Sequence, residues 1–315
     1  MQIPRLLSTQ EIMGLITNTL RNYPSLSRAE LSTMLPITPA TLTHHIRDLI
    51  DAGWVEERSL RKTTVGGRPR MGLTLRNNAT YAITMVISPN VLVGAIIDFG
   101  GHIMLKTRIE HPMDNITEAI AVIQRQIEEL IKHLSVRSAR FAGFGIAIPG
   151  IWDPESETVV FSPNLPEWAG MKLRELIRRN TGVEPNIVEN DADAAAWGEL
   201  WFGAGREVQD MMYVLCDAGI GAGIVLQRQL IRGQNNSIGE IGHLFVDSGN
   251  TEFICGCGQY GCLEALASLT ALQPYQENGT PTSIALAKVS QYLAIGLGGL
   301  INVLSPQVVV LGGPM

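Results

Sequence analysis

The spacing of apolar residues changes character along this chain. Over roughly the first fifty residues it follows the helical repeat, with Leu42, Ile46, Leu49 and Ile50 on one face and His44, Arg47 and Asp51 opposite. Start signals delimit three helices. Ser8 with Glu11, and Ser27 with Glu30, fit the S-x-x-E capping box, in which two side chains satisfy the free amide donors of a first turn. Thr38 followed by Pro39 supplies a third cap with a first-turn proline. The predicted helices therefore run over about 8–21, 27–34 and 38–52.

Further on, W-V-E-E at 54–57 and L-T-L at 73–75 read as the two strands of a hairpin, with the basic, glycine-rich tip R-K-T-T-V-G-G-R-P-R between them. From Tyr81 the apolar residues gather into short blocks. Y-A-I-T-M-V-I-S and V-L-V-G-A-I-I-D-F are predicted strands, Asn115 to Leu134 an amphipathic helix, and F-A-G-F-G-I-A-I-P-G a buried strand ending in a glycine-bearing turn. N-I-V-E-N-D-A begins another strand-to-helix passage, M-M-Y-V-L-C-D and A-G-I-V-L pair around Gly219–Gly223, and V-V-V-L-G-G is the last strand. Strands alternating with helices predict an α/β body. The apolar window from Tyr81 to Phe99 is broken by Ser88-Pro89-Asn90, which makes it two strands rather than a membrane span, and no membrane insertion is expected.

Charge divides the chain at the same place. Residues 1–78 carry ten Arg or Lys against six acids, a net +4, while the rest carries −10, for a total of −6. A basic head (1–78) on an acidic body (79–315) predicts that nucleic acid meets the head alone. The third helix, entering a major groove by its N-terminal half, would offer Thr41, Thr43, His44 and Arg47 to bases and phosphates. Arg68 and Arg70 in the hairpin tip would lie along a minor groove.

Four cysteines exclude a disulfide framework and suit a reducing cytoplasm. Three of them, Cys255, Cys257 and Cys262, fall within C-G-C-G-Q-Y-G-C, a glycine-spaced metal knuckle that lacks a fourth ligand. Of six histidines only His243, in G-E-I-G-H, is nearby, so a Cys3His zinc site closed by His243 is expected; the alternative is three reduced structural cysteines. Polar residues gather at element ends: Asn164 in S-P-N-L-P, Asn190 and Asp191 in E-N-D, Glu240 and His243 in G-E-I-G-H, and Glu264 after the knuckle. Carboxylates and amides of this kind suit the vicinal hydroxyls of a sugar.

These motifs carry a resemblance. Residues from about 81 onward resemble the ROK family (repressors, open reading frames and sugar kinases) through I-A-I-P-G at 146–150, E-N-D-A-D-A-A-A-W-G-E at 189–199, G-E-I-G-H at 239–243 and C-G-C-G-Q-Y-G-C-L-E at 255–264. The head resembles the winged helix-turn-helix of the NagC/Mlc-type repressor branch through P-A-T-L-T-H-H-I-R and G-G-R-P-R. The resemblance implies a two-lobed, actin-like sugar-kinase fold with a sugar in the interlobe cleft and zinc beside it. Its sugar contacts would be Asn164, Asn190, Asp191, Glu240, His243 and Glu264, with His243 serving both metal and sugar.

In the kinase branch Asp191 would be the general base. The family's nucleotide loop D-x-G-G-T should fall at 86–90, yet this chain reads V-I-S-P-N, and Pro89 has no amide hydrogen for a phosphate. The second phosphate-facing stretch, G-T-G in kinases, reads Asp217-Ala218-Gly219, and Asp193 stands where kinases usually have asparagine. The expectation is a regulator without enzyme activity: a repressor of sugar uptake or catabolism genes, with operator DNA and a sugar or sugar-phosphate effector as partners, acting as a homodimer or higher homo-oligomer. The alternatives are a working ROK sugar kinase and a repressor controlled by a transporter protein. Relatives are expected to continue beyond L-G-G-P-M and to be longer between Glu264 and Ile301.

Overall fold

The computed structural model describes residues 8–59, 71–135 and 140–314 of the 315. The head opens with α1 (Thr9–Asn22), α2 (Arg28–Met34) and α3 (Pro39–Asp51), followed by the strands β1 (Val55–Ser59) and β2 (Met71–Leu75). Both capping boxes form. Ser8 and Ser27 each accept the amide of the glutamate three residues on at 3.3 Å, and their own amides donate back to Glu11 and Glu30 at 2.7 and 2.8 Å. Thr38 accepts the Thr41 amide at 3.2 Å, with Pro39 behind it. The helical stripe is buried as its spacing requires, with Ile16, Leu20, Leu31, Leu42, Ile46 and Leu49, together with Val55 of β1 and Leu73 of β2, each at most 1% exposed. Each such side chain stabilises the head by about 1.5–3 kcal/mol relative to exposure. The antiparallel register of β1 and β2 runs from Val55↔Leu75 to Ser59↔Met71. The tip with Arg68 and Arg70 lies outside the described residues.

The body continues with β3 (Tyr81–Ser88), β4 (Val91–Asp98), β5 (Ile103–Glu110), α4 (Ile116–Ser135) and β6 (Phe141–Ile148). A hairpin of β7 (Ile151–Asp153) and β8 (Thr158–Phe161) follows, then α5 (Leu173–Thr181), β9 (Ile187–Asn190) and α6 (Asp191–Phe202). A five-stranded sheet has the order β5-β4-β3-β6-β9, with β6 and β9 parallel. The predicted strands at 81–88, 91–99 and 141–150 and the helix at 115–134 are all present. β5 had gone unread although I-M-L-K-T-R-I-E alternates as an edge strand should.

The remaining elements are β10 (Met211–Cys216), β11 (Ile220–Leu226), β12 (Gln229–Leu230), α7 (Leu263–Ala267), α8 (Gln273–Glu277), α9 (Thr282–Leu304) and β13 (Val308–Gly312). They make a second sheet in the order β12-β11-β10-β13, in which β10 pairs antiparallel with β11 and parallel with β13. Met212, Val214, Ile224 and Leu263 pack beneath it with Ala285, Val289 and Leu297 of α9. α9 is long and apolar enough to cross a membrane, with a mean hydropathy of 1.5 over its window. Here one face of it packs on the second sheet and α7 through Ala285, Val289 and Leu297, while most of its surface, Ile284, Leu286, Ile295 and Val303 included, is exposed; a Cβ at Gly296 would lie 2.7 Å from Leu263, so glycine is what lets α9 approach α7.

By compactness the described chain falls into two units, one within residues 1–83, 95–106 and 129–143, the other within 84–94, 107–128 and 144–315. The second contains the candidate site.

Candidate functional site

Several element ends converge on one cleft of the second unit. β6 gives way to Pro149 and Gly150, where φ is +97° and a side chain would collide with the backbone of Phe161 and Ser162, so glycine is required. Ser162 donates to the Pro149 carbonyl at 2.9 Å and the Asn190 amide donates to that of Gly150, also at 2.9 Å. The Asn190 carbonyl oxygen meanwhile accepts the amides of Ala192 and Asp193 at 2.9 and 3.1 Å, which caps α6 and places Asp191 at its first position. Asp217, Ala218 and Gly219 form the turn from β10 to β11, Glu264 comes from the first turn of α7, and Glu240 and His243 flank a short 3-10 turn.

Asn164, Asn190, Asp191, Glu240, His243 and Glu264, the six residues singled out for sugar contact, all line this cleft. Ser88 and Pro89 line it too, beside Asp217, Ala218 and Gly219, so both altered phosphate-facing stretches are present at the same site. Gly150 and Pro163, quoted above within I-A-I-P-G and S-P-N-L-P but not assigned to the site because neither bears a polar side chain, are also in the lining. Glycine and proline beside I-A-I and S-P-N were the available signal.

The cleft is strongly acidic. Burial pushes the Asp191 carboxyl up to about 6, with Asp217 and Glu240 adding like charge, and burial also raises Glu240. Asp193 points elsewhere and is not part of the lining. It is 5% exposed, burial and the neighbouring Glu189 raise it to about 7, and its Oδ1 has no hydrogen-bond partner among the described residues. Arg232 pairs with Glu189 beside it.

The knuckle folds as its glycines allow, Gly258 and Gly261 taking φ of +85° and +76°. One ring nitrogen of His243 and the three sulfurs of Cys255, Cys257 and Cys262 lie within 4.8 Å of one another. Cys255 Sγ is 3.4 Å from His243 Nδ1, and Cys257 Sγ is 3.8 Å from Cys262 Sγ. A tetrahedral zinc with bonds of about 2.3 Å to sulfur and about 2.0 Å to nitrogen sets S···S at about 3.8 Å and N···S at about 3.5 Å. The donor set and its spacing thus fit such an ion. With Nδ1 committed to the cluster, His243 Nε2 is left toward the cleft, 3.8 Å from Glu240 Oε2.

In the head, Thr43, His44 and Arg47 are exposed on α3 and Thr41 is half-buried. The two threonine hydroxyls are engaged within the helix, Thr41 with Thr38 and Thr43 with the Pro39 carbonyl, each at 2.8 Å. His44 lies 3.5 Å from Asp48. His45, which the sequence reading passed over, is buried in the head at 6% exposure.

Comparison with known proteins adds to this geometry. Residues 90–315 match the ROK family, and residues 11–56 match a winged helix-turn-helix DNA-binding family. The chain belongs to the ROK family. It is 31% identical to the xylose repressor of Bacillus subtilis strain 168 over 94% of this chain and 80% of that one. A crystal structure of a ROK family transcriptional regulator, a homologue of the E. coli Mlc protein, aligns with a TM-score of 0.77 at 26% identity, over 97% of this chain and 84% of that one. A ROK glucokinase from Streptomyces griseus, solved with glucose and AMPPNP, aligns with a TM-score of 0.62 at 25% identity over 74% and 83%. The expected fold, a winged helix-turn-helix followed by a ROK sugar-kinase-like body of actin type, is therefore borne out.

Proposed function

We propose that this ROK protein is a transcriptional repressor whose head (1–78) binds operator DNA and whose body (79–315) binds a sugar that alters that binding. The observation that carries the reading is the composition of the cleft. All six residues suited to reading hydroxyls line it, whereas the stretches that face nucleotide in kinases have Pro89 in place of an amide donor and Asp217 in place of a neutral phosphate cradle. A carboxylate in Asp191's place can accept a proton from a hydroxyl, but without a phosphoryl donor no transfer follows. What remains is recognition, and the head supplies the output.

Zinc is the metal we assign to His243, Cys255, Cys257 and Cys262, since three thiols and an imidazole gathered within 4.8 Å suit a soft, four-coordinate site. When bound it holds the imidazole ring, so that Nε2 meets a sugar hydroxyl in a fixed orientation. Asn164, Asn190, Asp191, Glu240 and Glu264 read the other hydroxyls. On DNA, Thr41, Thr43, His44 and Arg47 face bases and phosphates, with Arg68 and Arg70 in the adjacent minor groove. A homodimer would set two heads on half-sites about 34–36 Å apart. A cytoplasmic location suits an operator-binding protein whose thiols serve as metal ligands.

The test is fluorescence titration of DNA fragments selected from a random pool by the zinc-loaded protein, over a salt series, with and without D-xylose or D-glucose. Sequence-selective binding that changes with a sugar is expected. Binding that is equal on all sequences at every salt concentration would exclude an operator-specific repressor.

A further inference from the structure

The anion-binding positions of the cleft are already filled by the protein's own carboxylates. Asp217 Oδ1 accepts the Ala218 amide at 2.8 Å, and Glu264 Oε2 accepts the Ile220 amide at 3.1 Å. At the N-terminus of α6, Asn190 and Asp191 both accept the Ala192 amide, at 2.9 and 2.8 Å, and Asn190 also takes the amide of Asp193. These backbone donors, together with the positive end of the helix dipole, are what a phosphate would seek.

No cation compensates. Four carboxylates, Asp191, Asp217, Glu240 and Glu264, line the cleft, and none of its described lining residues is lysine or arginine. Arg232 is committed to Glu189 outside the lining. A loaded Cys3His zinc cluster would not reverse the sign either, since three thiolates on a divalent ion leave a net −1. Burial with Asp217 and Glu240 nearby already raises Asp191, as expected where added negative charge is disfavoured.

We infer that the cleft selects an uncharged sugar and rejects its phosphate esters, with Asp217 as the specificity-determining residue that occupies the phosphate position. The inference rests on the sugar-binding reading above and narrows it to one chemical class. Asp217 excludes an ester in two ways: its charge repels a dianion brought into the cleft, and its oxygen holds the Ala218 amide that a phosphate oxygen would need.

Calorimetric titration of the zinc-loaded full chain with D-glucose, D-glucose 6-phosphate, D-xylose and D-xylose 5-phosphate tests this, repeated at several salt concentrations and with Asp217→Asn. Each ester is expected to bind at least tenfold more weakly than its parent sugar. The gap should narrow as salt rises and narrow at least threefold in Asp217→Asn. If that variant does not fold, the salt series on the wild-type protein carries the test. An ester that binds as tightly as its parent, or tighter, overturns the charge filter while leaving the sugar reading intact. Absence of binding by all four ligands removes the sugar reading and the filter together.

Discussion

The Arg140 guanidinium donates a 2.8 Å hydrogen bond to the carbonyl of Ala52, the residue that caps α3. A cation on the last carbonyls of a helix answers both its free acceptors and the negative end of its dipole. Arg140 is itself fixed, because its carbonyl accepts the Tyr81 amide and the Thr80 hydroxyl, each at 2.9 Å. A second mount lies at the turn after β4. Arg21, near the end of α1, donates to the Phe99 carbonyl at 3.1 Å, and the Phe99 ring lies 5.3 Å from that of Trp54. α3 and its neighbours are thus held by two residues that follow the head in sequence.

Arg140→Ala should loosen the C-terminal turn of α3. Amide exchange around residues 49–54 is expected to speed up by about five- to tenfold, corresponding to about 1–1.5 kcal/mol for the lost charge-assisted bond. DNA affinity should fall while zinc content and sugar affinity stay unchanged. Exchange rates equal to wild type would show that the bond contributes nothing to the mount.

Removing the metal should disturb the cleft as well as the knuckle. Burial raises the Cys255 thiol, so without an ion this cysteine stays protonated and offers His243 Nδ1 a weak partner. A chelator strong enough to strip the cluster, or Cys257→Ser, is expected to release about one zinc per chain, lower the melting temperature, and weaken sugar binding on the order of 10–100-fold through the freed imidazole. Metal analysis alongside calorimetry checks all three effects.

Much of this was legible in the residues because local chemistry fixed it. Ser8, Ser27 and Thr38 set the helix starts through short-range bonds, and the periodic stripe of α3 permitted one buried face. The cleft residues could be named but not joined by spacing, since Ser88, Asn164, Asn190, Asp217 and Glu264 meet only once the chain has folded. Arg140 and Phe99 carried no signal: a lone arginine and an apolar turn residue become interpretable only from their partners. β5 has no apolar block to mark it: five of its eight side chains are exposed and none is fully buried, so its alternation stands out less than the buried run of β4 before it.

Gly219 tests how closely the cleft is fitted. A Cβ built there would lie 2.5 Å from Glu264 Oε2 and 3.0 Å from Asn164 Nδ2. Gly219→Ala should push both side chains away from their positions and cut sugar affinity at least tenfold, with the head's DNA binding and the zinc content retained. Unchanged affinity would mean that neither Glu264 nor Asn164 needs its observed position to hold the ligand.

Asp193 offers a test with a defined sign. Its carboxyl is buried, one oxygen is unpartnered, and its folded pKa is about 7, against about 3.8 for an unperturbed side chain. Between those values the folded protein holds a proton that the unfolded chain has released, so stability falls as pH rises from about 4 to about 7 and then levels off. Asn cannot ionise and removes that loss. Asp193→Asn should therefore match wild type near pH 4, gain steadily up to pH 7, and reach a plateau of roughly 2–4 kcal/mol above it. Because the amide has nearly the shape of the carboxyl, the packing of α6 and its capping bonds to Asn190 are preserved. Paired denaturant melts of the two proteins from pH 4 to pH 8.5 measure the difference directly. A constant offset across that range would mean that the carboxyl does not titrate within it, and a variant less stable at pH 8 would mean that the ionised group is satisfied by a partner such as Arg232.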